Sequence, residues 1–449
     1  VGELEGGSRL SAVETGLLLF AAMLALMALR VPIAIAMFIP GAVGCVLMAG
    51  SAMLLNQLKG LAYARLSLYD LSVIPLFLLM GQFATQGGLS RALFRFANSL
   101  VGNRRGGIAM AAVLACAAFG TVCGSSVATA ATVTQVALPE MRQHHYSGRL
   151  STATLSAGGT LGILIPPSVV LVVYAILTEQ NIAKLFAAAM VPGVIAAAGY
   201  CAAIAIYVRL VPGHAPDVAR VSPGERRAAA RDVWPIGAIF VTVFGGIYGG
   251  VFTPTEGAAV GAAGTFIAGL AKRELGVAAI KRAFLGAAET TGMVFLIFVG
   301  ADMLNVALAL SQMPAQLAQS VGALNLPAVV VVAGILVFYI ILCSVMDELS
   351  MVILTMPVVL PVILDLSLYG LNSTEKVIWF GILVLSVVEV GLIAPPVGLN
   401  VYVVNSLARD VPMSETYRGV LPFLASDAIR LALLLAFPVL SLAAVRLIF

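Results

Sequence analysis

Twice in this sequence a Pro-Pro pair falls inside an apolar stretch, at Pro166-Pro167 and at Pro395-Pro396. Proline has no amide hydrogen, so the carbonyls four residues earlier lose their helical partners. Those are Gly162 and Ile163 at the first pair, Gly391 and Leu392 at the second. Bare carbonyls cost little in water. At membrane depth each must be met by an ion, a water or a side chain, because hydrocarbon offers no donor. Composition says that the surroundings are hydrocarbon. Of 449 residues 61% are hydrophobic and 10% charged, whereas a soluble domain carries about 25% charged residues. An all-α polytopic membrane protein is expected.

Apolar runs at 15–29, 33–55, 71–85, 185–210, 234–249, 255–270, 287–310 and 420–448 read as spans. Four other segments differ. Those at 108–139 and 328–364 carry a polar or small-residue patch at mid-length, and those at 151–178 and 377–408 contain the Pro-Pro pairs. Landmarks recur along the chain: Pro32 and Pro254, Gly81 and Gly300, Pro139 and Pro361, Pro167 and Pro396, at offsets of 222, 219, 222 and 229. Such order predicts an internal repeat, 1–211 and 234–449, joined by a polar cytoplasmic linker at 212–233.

Charge sets the sidedness. Arg91, Arg95, Arg104 and Arg105 precede segment 108–139, and Arg142 and Arg149 follow it. Both flanks read as cytoplasmic. A segment with both ends on one face is a re-entrant hairpin. Each repeat then crosses five times, so the second is inverted, with 18 of the 25 basic residues inside and both termini periplasmic. Segment 90–101 reads as a helix on the membrane surface, with Leu93, Phe96 and Leu100 on one face and Arg91 and Arg95 on another. The first residues, with Glu3, Glu5 and Glu14 around Arg9, lack the basic start of a secretory signal.

The chemistry concentrates at the hairpin tips and helix breaks. The first tip, Cys123-Gly124-Ser125-Ser126, offers hydroxyls beside half-helix ends, where ions bind. Alternatively, its small residues let helices approach closely. The second tip, Met346-Asp347-Glu348-Leu349-Ser350, places a carboxylate in a membrane hairpin, a functional position by default. Asp347 could ligate sodium or carry a proton, with Glu348 facing water. Thr253-Pro254-Thr255-Glu256 reads as a capping box. Glu389 could brace the second break or bind, while Glu289 and Asp302 have no assigned role. Cysteine and histidine show no redox or zinc spacing. No Gly-Lys dipeptide exists, so a nucleotide-hydrolysing phosphate loop is excluded. An intramembrane enzyme built on Ser125 or Asp347 would lack a histidine or lysine to activate it.

These blocks resemble a known family. Gly124-Ser125-Ser126-Val127-Ala128-Thr129-Ala130-Ala131, Leu138-Pro139-Glu140-Met141, Gly158-Gly159-Thr160-Leu161-Gly162 and Pro166-Pro167-Ser168 are similar to the large permease subunit of TRAP transporters, DctM-like proteins. So are Thr253-Pro254-Thr255-Glu256, Asp347, Glu389-Val390-Gly391 and Pro395-Pro396-Val397-Gly398-Leu399-Asn400. The resemblance implies an elevator carrier of the bacterial inner membrane. It also implies a small membrane subunit (DctQ-like), a periplasmic substrate-binding protein (DctP-like), and sodium (Na+) as coupling ion. Carried onto this chain, one sodium site uses Ser125, Gly162, Ile165 and Pro167, and the other Asp347, Gly391 and Ala394. Cys123 and Ala394 stand where the family usually has serine and threonine, each removing a hydroxyl. The expected cargo is a small carboxylate (a C4-dicarboxylate, sialic acid or another) held between the hairpin tips by Ser126, Ser168 and Asn400. A stand-alone sodium- or proton-coupled elevator carrier is the alternative.

Overall fold

A computed structural model describes residues 11–216, 222–323, 326–344 and 346–449. Glu3, Glu5, Arg9 and Arg220, used in the charge reading, lie outside these residues.

Every element with more than one turn is helical. The first series is α1 (Ala12–Ala28), α2 (Ile33–Ala49), α3 (Ser51–Leu66), α4 (Val73–Gln86) and α5 (Leu89–Val101). It continues with α6 (Gly107–Cys123), α7 (Ser126–Gln143), α8 (Gly148–Leu164), α9 (Val169–Leu177) and α10 (Ile182–Leu210). The second series is α11 (Pro223–Tyr248), α12 (Pro254–Ala271), α13 (Val277–Leu310), α14 (Met313–Ala323) and α15 (Ala328–Cys343). After it come α16 (Glu348–Asp365), α17 (Ser373–Ile393), α18 (Leu399–Leu407), α19 (Met413–Ala436) and α20 (Val439–Ile448). Among the described residues six helices are long and apolar enough to cross a membrane, or eight if two bent pairs count as single spans. Large apolar side chains such as Leu47, Val241, Leu296 and Leu433 remain exposed on the outside, as lipid-facing residues do.

Several boundaries differ from the sequence reading, for local reasons. The run at 33–55 is cut at Gly50, whose φ of +84° only glycine adopts readily, and α3 starts there. The run at 420–448 is divided by Pro438 into α19 and α20. Helix α7 continues through Pro139 to Gln143, so the first hairpin is longer than 108–139. On α5 the buried face is Leu89, Leu93 and Ala97, while Leu100 is exposed with Arg91 and Arg95.

The helices form an inner body and an outer shell. α8 packs on α6, α7, α17, α18 and α19, and α17 is almost wholly enclosed. Outside lie α1 to α5 and α11 to α14, whose closest pairs are α2 with α13 and α4 with α12. Small residues permit the α2–α13 crossing: a methyl built on Gly41 would lie 2.6 Å from the Leu304 amide nitrogen, and one on Gly300 2.3 Å from the Ala34 carbonyl oxygen. Gly300→Ala should therefore lower stability by about 1–3 kcal/mol, because backbone cannot yield as a side chain does. Gly237 on α11 faces open space. Gly237→Ala should be neutral or stabilising by up to about 1 kcal/mol. Paired thermal unfolding in detergent checks both, and equal transitions for the two variants would contradict the crossing.

Candidate ion and substrate site

Helices α6 and α7 meet at Gly124, which has φ of +66°, and Ser125, which caps α7 by accepting the Ala128 amide at 3.4 Å. This tip is seated on the first helix break. A methyl on Gly120 would lie 2.6 Å from the Gly162 Cα, and one on Gly124 2.9 Å from the Pro167 carbonyl oxygen. The Val169 amide donates to the Gly124 carbonyl at 3.4 Å. Gly162 in turn faces the Thr129 hydroxyl and the Ser125 carbonyl, 2.5 Å and 2.9 Å from where its Cβ would stand. Ser125, Gly162 and Pro167 thus come together, with Ile165 at the end of α8 packed on Gly193.

Thr129 was not singled out by the sequence reading. Its hydroxyl is fully buried and has no nitrogen or oxygen partner; the Cys123 thiol, a weak one, lies beside it. The Gly162 and Ile163 carbonyls have no amide four residues on, because Pro166 and Pro167 occupy those positions. The first break thus holds a buried hydroxyl without a nitrogen or oxygen partner and two carbonyls without helical donors. Its signal in the sequence was the Ser125–Thr129 spacing, one helical turn, which keeps both residues on one face.

The second break is built differently. Helix α17 ends at Ile393, capped by Ala394, and the chain passes Pro395, Pro396, Val397 and Gly398 before α18. The Tyr417 hydroxyl of α19 reaches the carbonyls of Val397 at 2.6 Å and Pro396 at 3.2 Å. Gly391 packs on the second hairpin, where an added methyl would lie 2.3 Å from Cys343 Cβ. Asp347 caps α16, accepting the Ser350 amide at 3.1 Å and the Ser350 hydroxyl at 2.5 Å. Asp347 and Ala394 line separate cavities. The first, of about 650 Å³, is shared with Arg30 and Glu289; the second, of about 440 Å³, is apolar.

The two hairpin tips touch. Ser126 Oγ donates to Glu348 Oε1 at 3.2 Å, both side chains buried. The expectation that Glu348 faces water is therefore corrected: the turn of α16 aims it at α7. Ser168 caps α9 by accepting the Leu171 amide at 3.3 Å. Asn400 Nδ2 donates to the Ser156 carbonyl at 3.3 Å and lies beside Gly159 and Ala130, leaving its Oδ1 without a partner. Ser126 and Asn400 thus border α7, one turn apart, while Ser168 stands on the neighbouring break.

Behind both breaks runs a buried charge network, of which the sequence reading singled out only Glu389. Arg430 pairs with Glu389 at 2.6 Å and with Asp427 at 3.0 Å; none of the three exceeds 3% exposure. The Tyr200 hydroxyl donates to Asp427 at 2.9 Å and lies 3.2 Å from the Thr160 hydroxyl. Thr160 stands two residues before Gly162, and Glu389 two before Gly391. Glu389 thus braces the second break. Asp302 is likewise paired, with Arg65, and the Glu256 capping box is present.

Comparison with known proteins gives this arrangement a setting. Residues 20–440 match the family model described as the tripartite ATP-independent periplasmic transporter, DctM component. The chain is similar to the C4-dicarboxylate TRAP transporter large permease protein DctM of Pseudomonas aeruginosa, 36% identical over 84% of this chain and 86% of that one. The protein of the same name from Vibrio cholerae is 30% identical over 90% and 92%. In fold it resembles the YdaH transporter of Alcanivorax borkumensis, with a TM-score of 0.62, 16% identity and coverage of 94% and 97%.

Removing one partner from a buried ion pair leaves an uncompensated charge. Arg430→Met should therefore cost about 3–5 kcal/mol of stability, and Tyr200→Phe about 1.5–3 kcal/mol for a hydrogen bond to a charged group. Unfolding of the purified variants measures both; an unchanged transition for Arg430→Met would contradict the network.

Proposed function

This chain belongs to the DctM-component family of tripartite ATP-independent periplasmic transporters, and on that footing we propose that it drives sodium-coupled uptake of a small organic anion. It is a membrane transporter component and not an enzyme. A tripartite system has three parts. We assign the other two to a small membrane subunit and a periplasmic binding protein that delivers the cargo. The cargo class follows the relatives named for C4-dicarboxylates: a small carboxylate.

The observation that carries the reading is the first break, where the buried Thr129 hydroxyl has no nitrogen or oxygen partner and packs against Gly162, whose carbonyl loses its helical amide to Pro166. Oxygens alone suit a hard cation. Sodium is the cation assigned there, with Ser125, Ile165 and Pro167 completing the shell and Thr129 added to it. Asp347 and Gly391 are assigned to a second, weaker site together with Ala394, which brings no hydroxyl and lines a different cavity from Asp347. The carboxylate rests between the hairpin tips, where Ser126 and Ser168 start half-helices whose amide ends favour anions.

The architecture proposed is two inverted repeats, each with a re-entrant hairpin (α6–α7, α15–α16) and a broken helix (α8–α9, α17–α18). Helix boundaries that recur at offsets near 222 support it. So does the direct contact of Ser126 with Glu348, 222 positions apart. Charges assigned to the cytoplasm also neighbour one another, Arg149 and Arg418 both meeting Glu415. The inner body would slide as an elevator against the outer shell, in the inner membrane with both termini periplasmic.

Co-reconstitution in liposomes with the small subunit and the binding protein tests this. Uptake should need an inward sodium gradient and stop in potassium. Thr129→Val should raise the sodium concentration for half-maximal uptake about tenfold, equivalent to ~1.4 kcal/mol. Uptake unchanged without sodium would overturn the coupling, and uptake by the chain alone would favour a stand-alone carrier.

A further inference from the structure

Glu348 is the polar side chain at the meeting of the hairpins that the carboxylate-binding account leaves unused. It is 91% buried, and its Oε1 accepts from Ser126. Its Oε2 is buried with no hydrogen-bond partner among the described residues. Among the described residues no lysine or arginine is shown paired with it, and its chain neighbour Asp347 is occupied by Ser350. A buried carboxyl oxygen left open is costly unless a donor arrives. In a membrane interior such a group marks a ligand position.

The surroundings say which part of a ligand could arrive. Asn400, one turn along α7 from Ser126, also keeps an open acceptor, its Oδ1. Two hydroxyls can donate. Ser168 Oγ accepts an amide, so its own hydrogen remains available, and the Ser126 hydroxyl is released once the tips part. The meeting of the hairpins thus offers hydroxyl hydrogens suited to a carboxylate, and beside them open acceptor oxygens that call for a donor on the cargo.

We infer that Glu348 is a specificity-determining residue: it accepts a hydrogen bond from a hydroxyl or ammonium group on the cargo. The cargo class is thus a hydroxy- or amino-carboxylate rather than a plain mono- or dicarboxylate. This rests on the proposal that the cargo sits between the hairpin tips. Entry of the cargo exchanges the Ser126–Glu348 bond for two bonds to the ligand: Ser126 turns to the carboxylate, and Glu348 takes the donor. No covalent step is involved.

Binding to the purified full chain in lipid nanodiscs tests it, bypassing selection by a soluble receptor. The probes are matched sets: propionate, lactate and alanine; succinate, malate and aspartate; glutarate, 2-hydroxyglutarate and glutamate. In sodium, at least one set should show the hydroxy or amino member bound tenfold or more tighter than the plain acid. Glu348→Gln should shrink that ratio to threefold or less. Glu348→Asp, which keeps the carboxylate, should retain it at lower affinity, so that loss of fold is distinguished from loss of selectivity. Equal binding within every set by the native chain, or a ratio unchanged in Glu348→Gln, overturns the inference while the proposed carboxylate site stands. No binding of any probe overturns both.

Discussion

A backbone carbonyl that loses its helical donor inside a bilayer must be satisfied by something else, and both halves of this molecule are arranged around that need. The two Pro-Pro breaks meet it in unlike ways. At the first, a glycine-turned hairpin presses its tip onto the break, takes up the Val169 amide, and still leaves the Thr129 hydroxyl, packed against Gly162, without a nitrogen or oxygen partner. At the second, Tyr417 supplies a hydroxyl to the Pro396 and Val397 carbonyls in the gap between α17 and α18, and Ala394 opens on an apolar cavity. The two breaks thus carry unequal chemistry. The first break has the stronger claim to a cation, and the second is partly closed by protein.

The same constraint explains why so expensive a set of charges sits behind the breaks. A helix that has lost two internal hydrogen bonds needs bracing from its neighbours. Arg430 holds Glu389 close to the end of α17, and Asp427 and Tyr200 extend the contact to Thr160 near the end of α8. Thr160 and Glu389 are 229 positions apart, the offset that relates Pro167 to Pro396. The brace therefore ties the end of α8 to the end of α17 through α10 and α19. Small residues at Gly120, Gly162 and Gly391 let the backbones approach closely enough for these contacts to form.

Much of this was legible in the residues. Hairpin tips, helix breaks and capping boxes announce themselves because glycine, proline and Thr-x-x-Glu act locally. The positions of Ser125, Gly162 and Pro167 followed from that local logic. What escaped the sequence depends on which helices become neighbours. Nothing along the chain ties Arg430 to Glu389, Tyr417 to Val397, or Ser126 to Glu348. Thr129 passed as a filler within a run of small residues until Gly162 was seen against it. Glu348 was misread because one position along a helix turns a side chain by about 100°, from the face that Asp347 occupies to the one that meets α7. Breaks such as Gly50 and Pro438 were missed where an apolar run looked continuous and hydropathy alone set its length.

The central claim is that the first break leaves oxygens bare for a cation. Comparing density maps of the chain in lipid, prepared once in sodium and once in N-methylglucamine, tests it most directly. The account predicts a discrete peak touching the Thr129 hydroxyl and the Gly162 carbonyl in sodium, absent in N-methylglucamine, with α8 ending at Leu164 in the sodium map. An unbroken helix through Pro166-Pro167, or identical empty density in both maps, would contradict it.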